Sequence, residues 1–480
     1  EPLSEPSEIT QGGQTETSTA VLKDKAAADA QLKSLYELFR NRQEHTHLDY
    51  LLIGDSHSDN AYAGTTGAEV VPYETNSIDA SNSVLSRDWN RYLEDIAKAN
   101  VLINGVEQLK ENGQISETEY HSYKAQGEIF RALMMFRMAR LWGSFPVITT
   151  IAKTITSDNI NEVYPTYYPP RKTPKECYEQ IIADLTDAEQ YAPDNDNSDR
   201  TKMTKTVAQA MLAKVYAEKE VQDYDKVIAY ADKVMNTTGV ELEDSYETLW
   251  GYDETAIDCM KRNTKEGILE VHWSGGGNWE TWMYGRQLDN WDYYFTWAKW
   301  ITPSRDIIND FDKEGDEVRK NQAIVYYACT WSNYYPASNY PFMYKLRSSY
   351  NNIYWVRLAD IILMKAEAEA YKGNLAESAK LVNQIRKRAK LKELTSDKTG
   401  SKESMIEAVL HERRLELAFE GERWFDLCRN NKVEQYLNGI DNRDSGRIRQ
   451  VRQFDSNSYL LPIPQTALDQ NTNLEQNPGY

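Results

Sequence analysis

The chain reads as mainly α-helical, a scaffold of tetratricopeptide-like helix pairs with a loop-rich insert and short β elements. Three observations predict this. Apolar residues recur at helical spacing through most of the first 240 positions and again over about 356–430. Two segments carry the small-residue pattern of packed helix pairs. Between them, over about 241–349, the periodicity fails and aromatic residues crowd together.

Taken in order, windows 26–39, 89–109, 119–142, 175–191, 206–219 and 225–235 are each long and periodic enough to bury an apolar stripe as a helix. A helix pair needs small residues where its members cross and a turn residue between them. Leu212, Ala213 and Tyr216 precede the turn Asp223-Tyr224-Asp225, and Val227 and Ala231 follow it. In the second pair, over 356–390, Ala366 and Ser378 flank Gly373-Asn374, with Val382 and Ile385 as packing residues. Trp89, Trp142, Trp355 and Trp424 fall inside helical patterns and read as packing groups. Strand signals are short: 147–150, 267–273 and 459–462.

Residues 1–19 are rich in Thr, Gly, Gln and Ser, bury too little apolar area to fold, and read as a flexible N-terminal tether, with 20–480 as one body. The net charge of -19 and the lack of long Lys/Arg runs exclude a nucleic-acid binder. The densest basic group, Arg386-Lys387-Arg388 with Lys390 and Lys392, sits where cations favour a helix C-terminus. No run of 18 apolar residues is present. The cysteines Cys177, Cys259, Cys329 and Cys428 share no metal spacing and read as buried free thiols. Asp55, His57, Asp59 and Asn60 lack the spacing of a calcium loop, so a solvated or loop-stabilising role is expected. No metal or cofactor is expected.

The chemistry concentrates in the insert. Six of the twelve tryptophans lie between Trp273 and Trp300, and a second cluster runs from Tyr326 to Tyr344. A sugar ring has an apolar C–H face and a rim of hydroxyls, which rigid aromatic plates and neighbouring amides, carboxylates and guanidinium groups match. Trp279, Trp282, Tyr284, Arg286, Asp289, Asn290, Trp291 and Tyr293 alternate in this way, after Gly275, Gly276 and Gly277, which suit an irregular loop. Charges at Glu412, Arg413, Arg414 and Glu416, and from Glu420 to Arg423, read as same-helix pairs that hold neighbouring turns.

Several strings carry a resemblance: Glu420-Gly421-Glu422-Arg423-Trp424-Phe425-Asp426-Leu427-Cys428-Arg429, then Leu460-Leu461-Pro462-Ile463-Pro464, and finally Gln476-Asn477-Pro478-Gly479-Tyr480. Upstream, Ala97-Lys98-Ala99-Asn100, Phe130-Arg131-Ala132, Leu141-Trp142-Gly143-Ser144-Phe145-Pro146 and the helix opening at Thr173-Pro174 follow in the same order. This succession resembles the SusD/RagB family of surface glycan-binding lipoproteins of Bacteroidetes. The resemblance implies four helix pairs, binding of an oligo- or polysaccharide without catalysis, and a SusC-like TonB-dependent transporter as partner. It also implies a lipid anchor at the outer face of the outer membrane, through a cysteine that this chain does not carry at its start. The family often adds contacts from an early loop, which here points to Tyr62, Tyr73, Asp79 and Asn82.

Two rivals remain from the residues. A glycoside hydrolase would use a carboxylate pair among Glu270, Glu280, Asp289, Asp292 and Asp306. A repeat scaffold for a protein ligand would explain the helices but not the tryptophans.

Overall fold

The principal helices are α1 (Lys25–Asn41), α2 (Ser83–Glu111), α3 (Glu117–Trp142), α4 (Pro174–Tyr191), α5 (Lys205–Tyr216), α6 (Tyr224–Met235), α7 (Arg305–Glu314), α8 (Glu317–Ala323), α9 (Leu358–Tyr371), α10 (Leu375–Arg388), α11 (Lys402–Glu416) and α12 (Arg423–Arg429). The computed structural model describes residues 10–11, 14–15, 21–41, 43–275 and 300–480. Within the segment read as a tether, Thr10–Gln11 pairs antiparallel with Gln14–Thr15. All six helices expected in the first half are present. The second pair is α9 and α10.

Helix starts follow the capping chemistry of the sequence. Asn82 accepts from the Val84 and Leu85 amides at the head of α2, and Ser116 and Thr173 form capping boxes with Glu119 and Glu176 at α3 and α4. Gly143, at φ 83°, ends α3 in a conformation that a β-carbon disfavours. Successive helices pack as neighbours from α2 to α6, and α9 bridges α6 to α10 and α11. At the crossing of α9 and α10, Ala366 and Ser378 are fully buried, and the Ser378 hydroxyl donates to the Ala366 carbonyl at 2.7 Å.

The strands are β1 (Ala61–Tyr62), β2 (Gly267–His272), β3 (Thr302–Pro303), β4 (Ile324–Tyr327), β5 (Tyr340–Met343) and β6 (Asn352–Arg357). They form antiparallel two-stranded sheets β1–β3, β2–β6 and β4–β5. Two expected strands are absent. Residues 147–150 run extended without a partner strand, held by the Asn100 and Asn104 side-chain amides on the Ile148 and Thr149 carbonyls. Residues 459–462 lie against the end of α3: the Leu461 amide donates to Leu141 O at 2.8 Å and the Trp142 indole N–H to Pro462 O at 3.0 Å. Asn477 ties Trp142 O to Leu461 O, and the Tyr480 hydroxyl donates to Leu460 O. The two C-terminal strings are therefore one clamp.

Charges expected to pair within one helix instead reach across the molecule. On α11, Glu412 accepts from Arg319 and Arg386, Arg413 spans Asp360 and Asp426, Arg414 reaches Asp306 and Asp310, and Glu416 receives Arg319, Arg357 and Arg388. Beyond the helix, Glu420 receives Lys345 and Arg357, Glu422 receives Lys214 and Arg140, and Arg423 reaches Asp59 at 2.9 Å. All of these α11 and post-helix groups except Glu420 are buried. Burial alone would raise the Glu416 carboxyl; Arg388, Arg357 and Arg319 outweigh it and hold it down to about 2. Arg386 and Arg388 are thus internal ion-pair partners as well as the cationic end of α10.

The Asp55 to Asn60 segment is buried, so its role is structural and not solvated. Asp55 accepts from the Phe419 and Gly421 amides, each at 2.9 Å, bracing a turn whose φ angles are 63° at Phe419 and 84° at Gly421. Burial pushes the Asp55 carboxyl up to about 7 against these bonds. Gly54 passes so close that a β-carbon on it would lie 2.2 Å from Gly421 O, and one on Gly421 would lie 2.4 Å from the Tyr50 ring. Replacing Gly421 with Ala combines a left-handed backbone with that clash. The expected outcome is a loss of about 2 kcal/mol or more, read as a lower denaturant midpoint at unchanged slope.

Candidate functional site

The early loop and the insert meet along β1 and β3, with Ala61 opposite Pro303 and Tyr62 opposite Thr302. Ser304 extends the seam, its amide donating to Asn60 O at 3.0 Å and its hydroxyl to Asp59 O at 2.6 Å, while the same hydroxyl accepts from Ile307 N to cap α7. The start of the insert's tryptophan-rich stretch is fixed elsewhere, by Trp273 N on Asn351 O and Gly275 N on Ser349 O, each at 3.0 Å. Its other end is Trp300, which is buried and whose carbonyl accepts from Ser56 at 2.9 Å. A β-carbon on Gly67 would lie 3.6 Å from the Trp300 indole nitrogen, so the early loop borders the point where the stretch returns to the body.

Beneath this seam lies an aromatic cluster. Tyr62 is fully buried, stacks on Tyr334 at 4.3 Å between centroids, donates to Asp444 at 2.5 Å and accepts from the Arg305 amide. Burial, reinforced by the Asp444 charge, holds its phenol well above the usual range. Tyr334 donates to Glu74, whose carboxyl also accepts from the Ala63 and Ile448 amides. Burial raises Glu74 despite Arg447 nearby and those bonds. The Arg305 guanidinium sits 4.2 Å above the half-buried Tyr335 ring. On the β4–β5 hairpin Tyr340 and Phe342 are buried under the half-buried Trp331, whereas Tyr326 and Tyr327 are exposed.

Of the residues singled out from sequence, Trp279, Trp282, Tyr284, Arg286, Asp289, Asn290, Trp291 and Tyr293 lie outside the described residues. Tyr73 is buried, donates to Asn82 at 3.1 Å, and Asn82 caps α2 while donating to Glu69 O. Asp79 is exposed and accepts from the Ser81 amide and hydroxyl, bonds that lower its carboxyl. The loop thus presents Asp79 to solvent and keeps Tyr62, Tyr73 and Asn82 inside. Arg305, Asp444 and Tyr334 complete the arrangement. The first two lack any local motif, and only their long-range partners reveal them.

Two carboxylates considered for hydrolysis have other partners. Glu270 accepts from the Asn263 and Thr264 amides and from Asn352, and Asp306 pairs with Arg414 and Arg443. Glu280, Asp289 and Asp292 lie outside the described residues. All four cysteines are free thiols. No helix among the described residues is long and apolar enough to cross a membrane, and no group of three His, Cys, Asp or Glu among them is placed to hold a metal ion.

Family comparison agrees with the architecture. A model described as the SusD family matches residues 321–480, and one described as starch-binding associating with outer membrane matches 14–217. The chain belongs to the SusD/RagB family. Among curated members, SusD-like protein P2 of Formosa agariphila is 27% identical over 83% of this chain and 81% of its own length. A SusD-like protein of Bacteroides ovatus is 24% identical over 78% of this chain and 70% of its own. Solved structures share the fold. A SusD superfamily protein of Bacteroides vulgatus superposes with a TM-score of 0.76 at 22% identity, covering 96% of this chain and all of that one. A laminarin-binding SusD-like protein gives 0.72 at 22% identity, over 95% of this chain and all of that one.

Tyr62 tests the seam. Tyr62→Phe removes the shorter of two hydrogen bonds to a buried Asp444 oxygen and leaves it only the Gly446 amide at 3.3 Å; the expected cost is about 1–2 kcal/mol, measured as a lower melting temperature with the helical circular dichroism signal retained.

Proposed function

We propose that this SusD/RagB member binds an oligo- or polysaccharide at the outer face of the outer membrane, without cutting it, and delivers it to a SusC-like TonB-dependent transporter. One observation carries the reading: the early loop is sewn to the insert by β1 and β3, beside the point where the tryptophan-rich stretch rejoins the body. The proposed contacts are Trp279, Trp282, Tyr284, Arg286, Asp289, Asn290, Trp291 and Tyr293, with Asp79 from the loop. Tyr62, Tyr73 and Asn82 act as supports that hold the loop in place, a role their burial favours.

Family membership supports the glycan ligand, as does the laminarin-binding neighbour. The outer-membrane location draws on the family description, and the lipid anchor and transporter on family resemblance. The partners held by Glu270 and Asp306 argue against their service as a hydrolytic pair.

The test is affinity electrophoresis and calorimetry against a panel of soluble polysaccharides, with wild type beside Trp279→Ala, Trp282→Ala and Trp291→Ala. Wild type binds one glycan class, and at least one substitution weakens it about tenfold with the fold intact, as loss of an aromatic anchor requires. Silence across the panel, or affinity indifferent to all three changes, contradicts the reading. Release of reducing ends that an acid-to-amide change abolishes contradicts the absence of catalysis.

A further inference from the structure

Arg386 and Arg388, in the densest basic group of the sequence, turn inward to pair with buried glutamates, but the lysines that follow them do not. Lys390, Lys392 and Lys398 lie in the connection from α10 to α11. With Lys313, from the last turn of α7, they line a cleft of about 1260 Å³. All four are exposed, and their ammonium groups have no hydrogen-bond or ion-pair partner among the described residues. The walls add two guanidinium groups. Arg423 is buried and gives Nε and Nη2 to Asp59 at 2.9 and 3.0 Å, which leaves Nη1 without a partner among the described residues. That nitrogen is not sealed in the core but keeps accessible surface, in a side chain that lines the cleft. Arg443 gives Nε to Asp306 and Nη2 to Tyr436 O, and its Nη1 likewise has none.

The acids of the cleft do not balance these groups. Asp306, Asp310, Glu314 and Glu407 are already taken by Arg414, Arg443, Arg386 and Lys432. Glu393 and Asp397 alone among the lining acids are without an ion pair among the described residues. A chain of net charge -19 has acids to spare, so a cleft where unpaired cations outnumber unpaired acids suits an anion from outside. Its size exceeds that of a usual small-molecule pocket, and a single phosphate would fill a small part of it. The unpaired cations come from α7, the α10–α11 connection, α12 and residue 443, which matches anionic groups repeated along a chain. A planar membrane surface could not reach Arg423, which is only 4% exposed. Glu393 and Asp397 offer acceptors for hydroxyls between the cations.

We propose that this cleft binds acidic sugar units of a glycan. Their carboxylate or sulfate groups take the Lys390, Lys392 and Lys398 ammonium groups and the Arg423 and Arg443 Nη1 N–H groups, while hydroxyls donate to Glu393 and Asp397. The inference rests on the reading that the ligand is a glycan, and not on where the tryptophan-rich stretch binds, because none of residues 276–299 lines the cleft.

Calorimetry at low and high salt tests it, with oligogalacturonate, a sulfated galactan oligosaccharide and a neutral galactan oligosaccharide as ligands, and polyglutamate and inorganic phosphate as competing probes. The proteins are wild type, a lysine variant carrying Lys390→Gln, Lys392→Gln and Lys398→Gln, and a tryptophan variant carrying Trp279→Ala, Trp282→Ala and Trp291→Ala. At least one acidic oligosaccharide is expected to bind wild type and the tryptophan variant equally, more weakly as salt rises, and the lysine variant about tenfold more weakly. Which of the two binds separates carboxylate from sulfate recognition. The lysine variant keeps its melting temperature and its affinity for any neutral glycan. The proposal is overturned if no acidic oligosaccharide binds, if the lysine substitutions leave its affinity unchanged, or if polyglutamate or phosphate binds in preference. Acidic binding lost only in the tryptophan variant overturns it too, while leaving the reading of the insert intact. Acidic binding that the lysine variant alone weakens, with neutral glycans silent, upholds the cleft and contradicts the reading of the insert instead.

Discussion

The structure depends on the row of buried charges along α11 and the turn that follows it. Glu412, Arg413, Arg414, Glu416, Glu422 and Arg423 sit inside the protein, where an unpaired ion costs far more than any single contact returns. Each finds its counter-ion on a different element: α8, α9, α10, the insert, the early loop or α3. The charges are satisfied together only when these elements close around α11. Because burying ions is itself expensive, the network contributes placement more than net stability.

That placement builds the candidate surface. Arg423 and Arg414 hold Asp59, whose carbonyl with that of Asn60 receives Ser304, and Ser304 starts α7 directly after β3. Through this relay a charged helix near the C-terminus sets the position of a loop near the N-terminus. The Tyr62, Tyr334 and Arg305 cluster then fills the space below the seam with rings whose polar tips are all engaged. A rigid floor under loops that vary freely is the arrangement that lets one fold serve many ligands.

The helices were legible in the sequence because apolar periodicity is local, and Ala366 and Ser378 announce their crossing by size and spacing. Asn82, read as a ligand contact, is instead the cap of α2. The family strings were legible too, although their physical meaning was not. The need of Gly421 for a bare α-carbon comes from Tyr50, and that of Gly54 from Gly421 itself, each pair hundreds of residues apart in the chain. Arg414 and Glu416 read as same-helix partners because nothing local reveals Asp306, Asp310 or Arg357. The extended segments 147–150 and 460–462 mimic strands because side-chain amides and an indole replace the missing ladder, while Tyr459 closes a 3-10 turn. In the early loop, Tyr62 and Tyr73 carry the composition of a ligand surface, but burial and hydrogen bonding turn them inward.

The most direct measurement is hydrogen exchange on Asp59→Asn, a change that keeps the side chain's shape and removes the charge that Arg423 and Arg414 share. If the charge row positions the seam, amides of residues 60–63 and 302–305 lose protection together, while those of α5 and α6 do not change. If exchange quickens only beside residue 59, or evenly along the chain, the seam does not depend on the buried charges and the central claim is wrong.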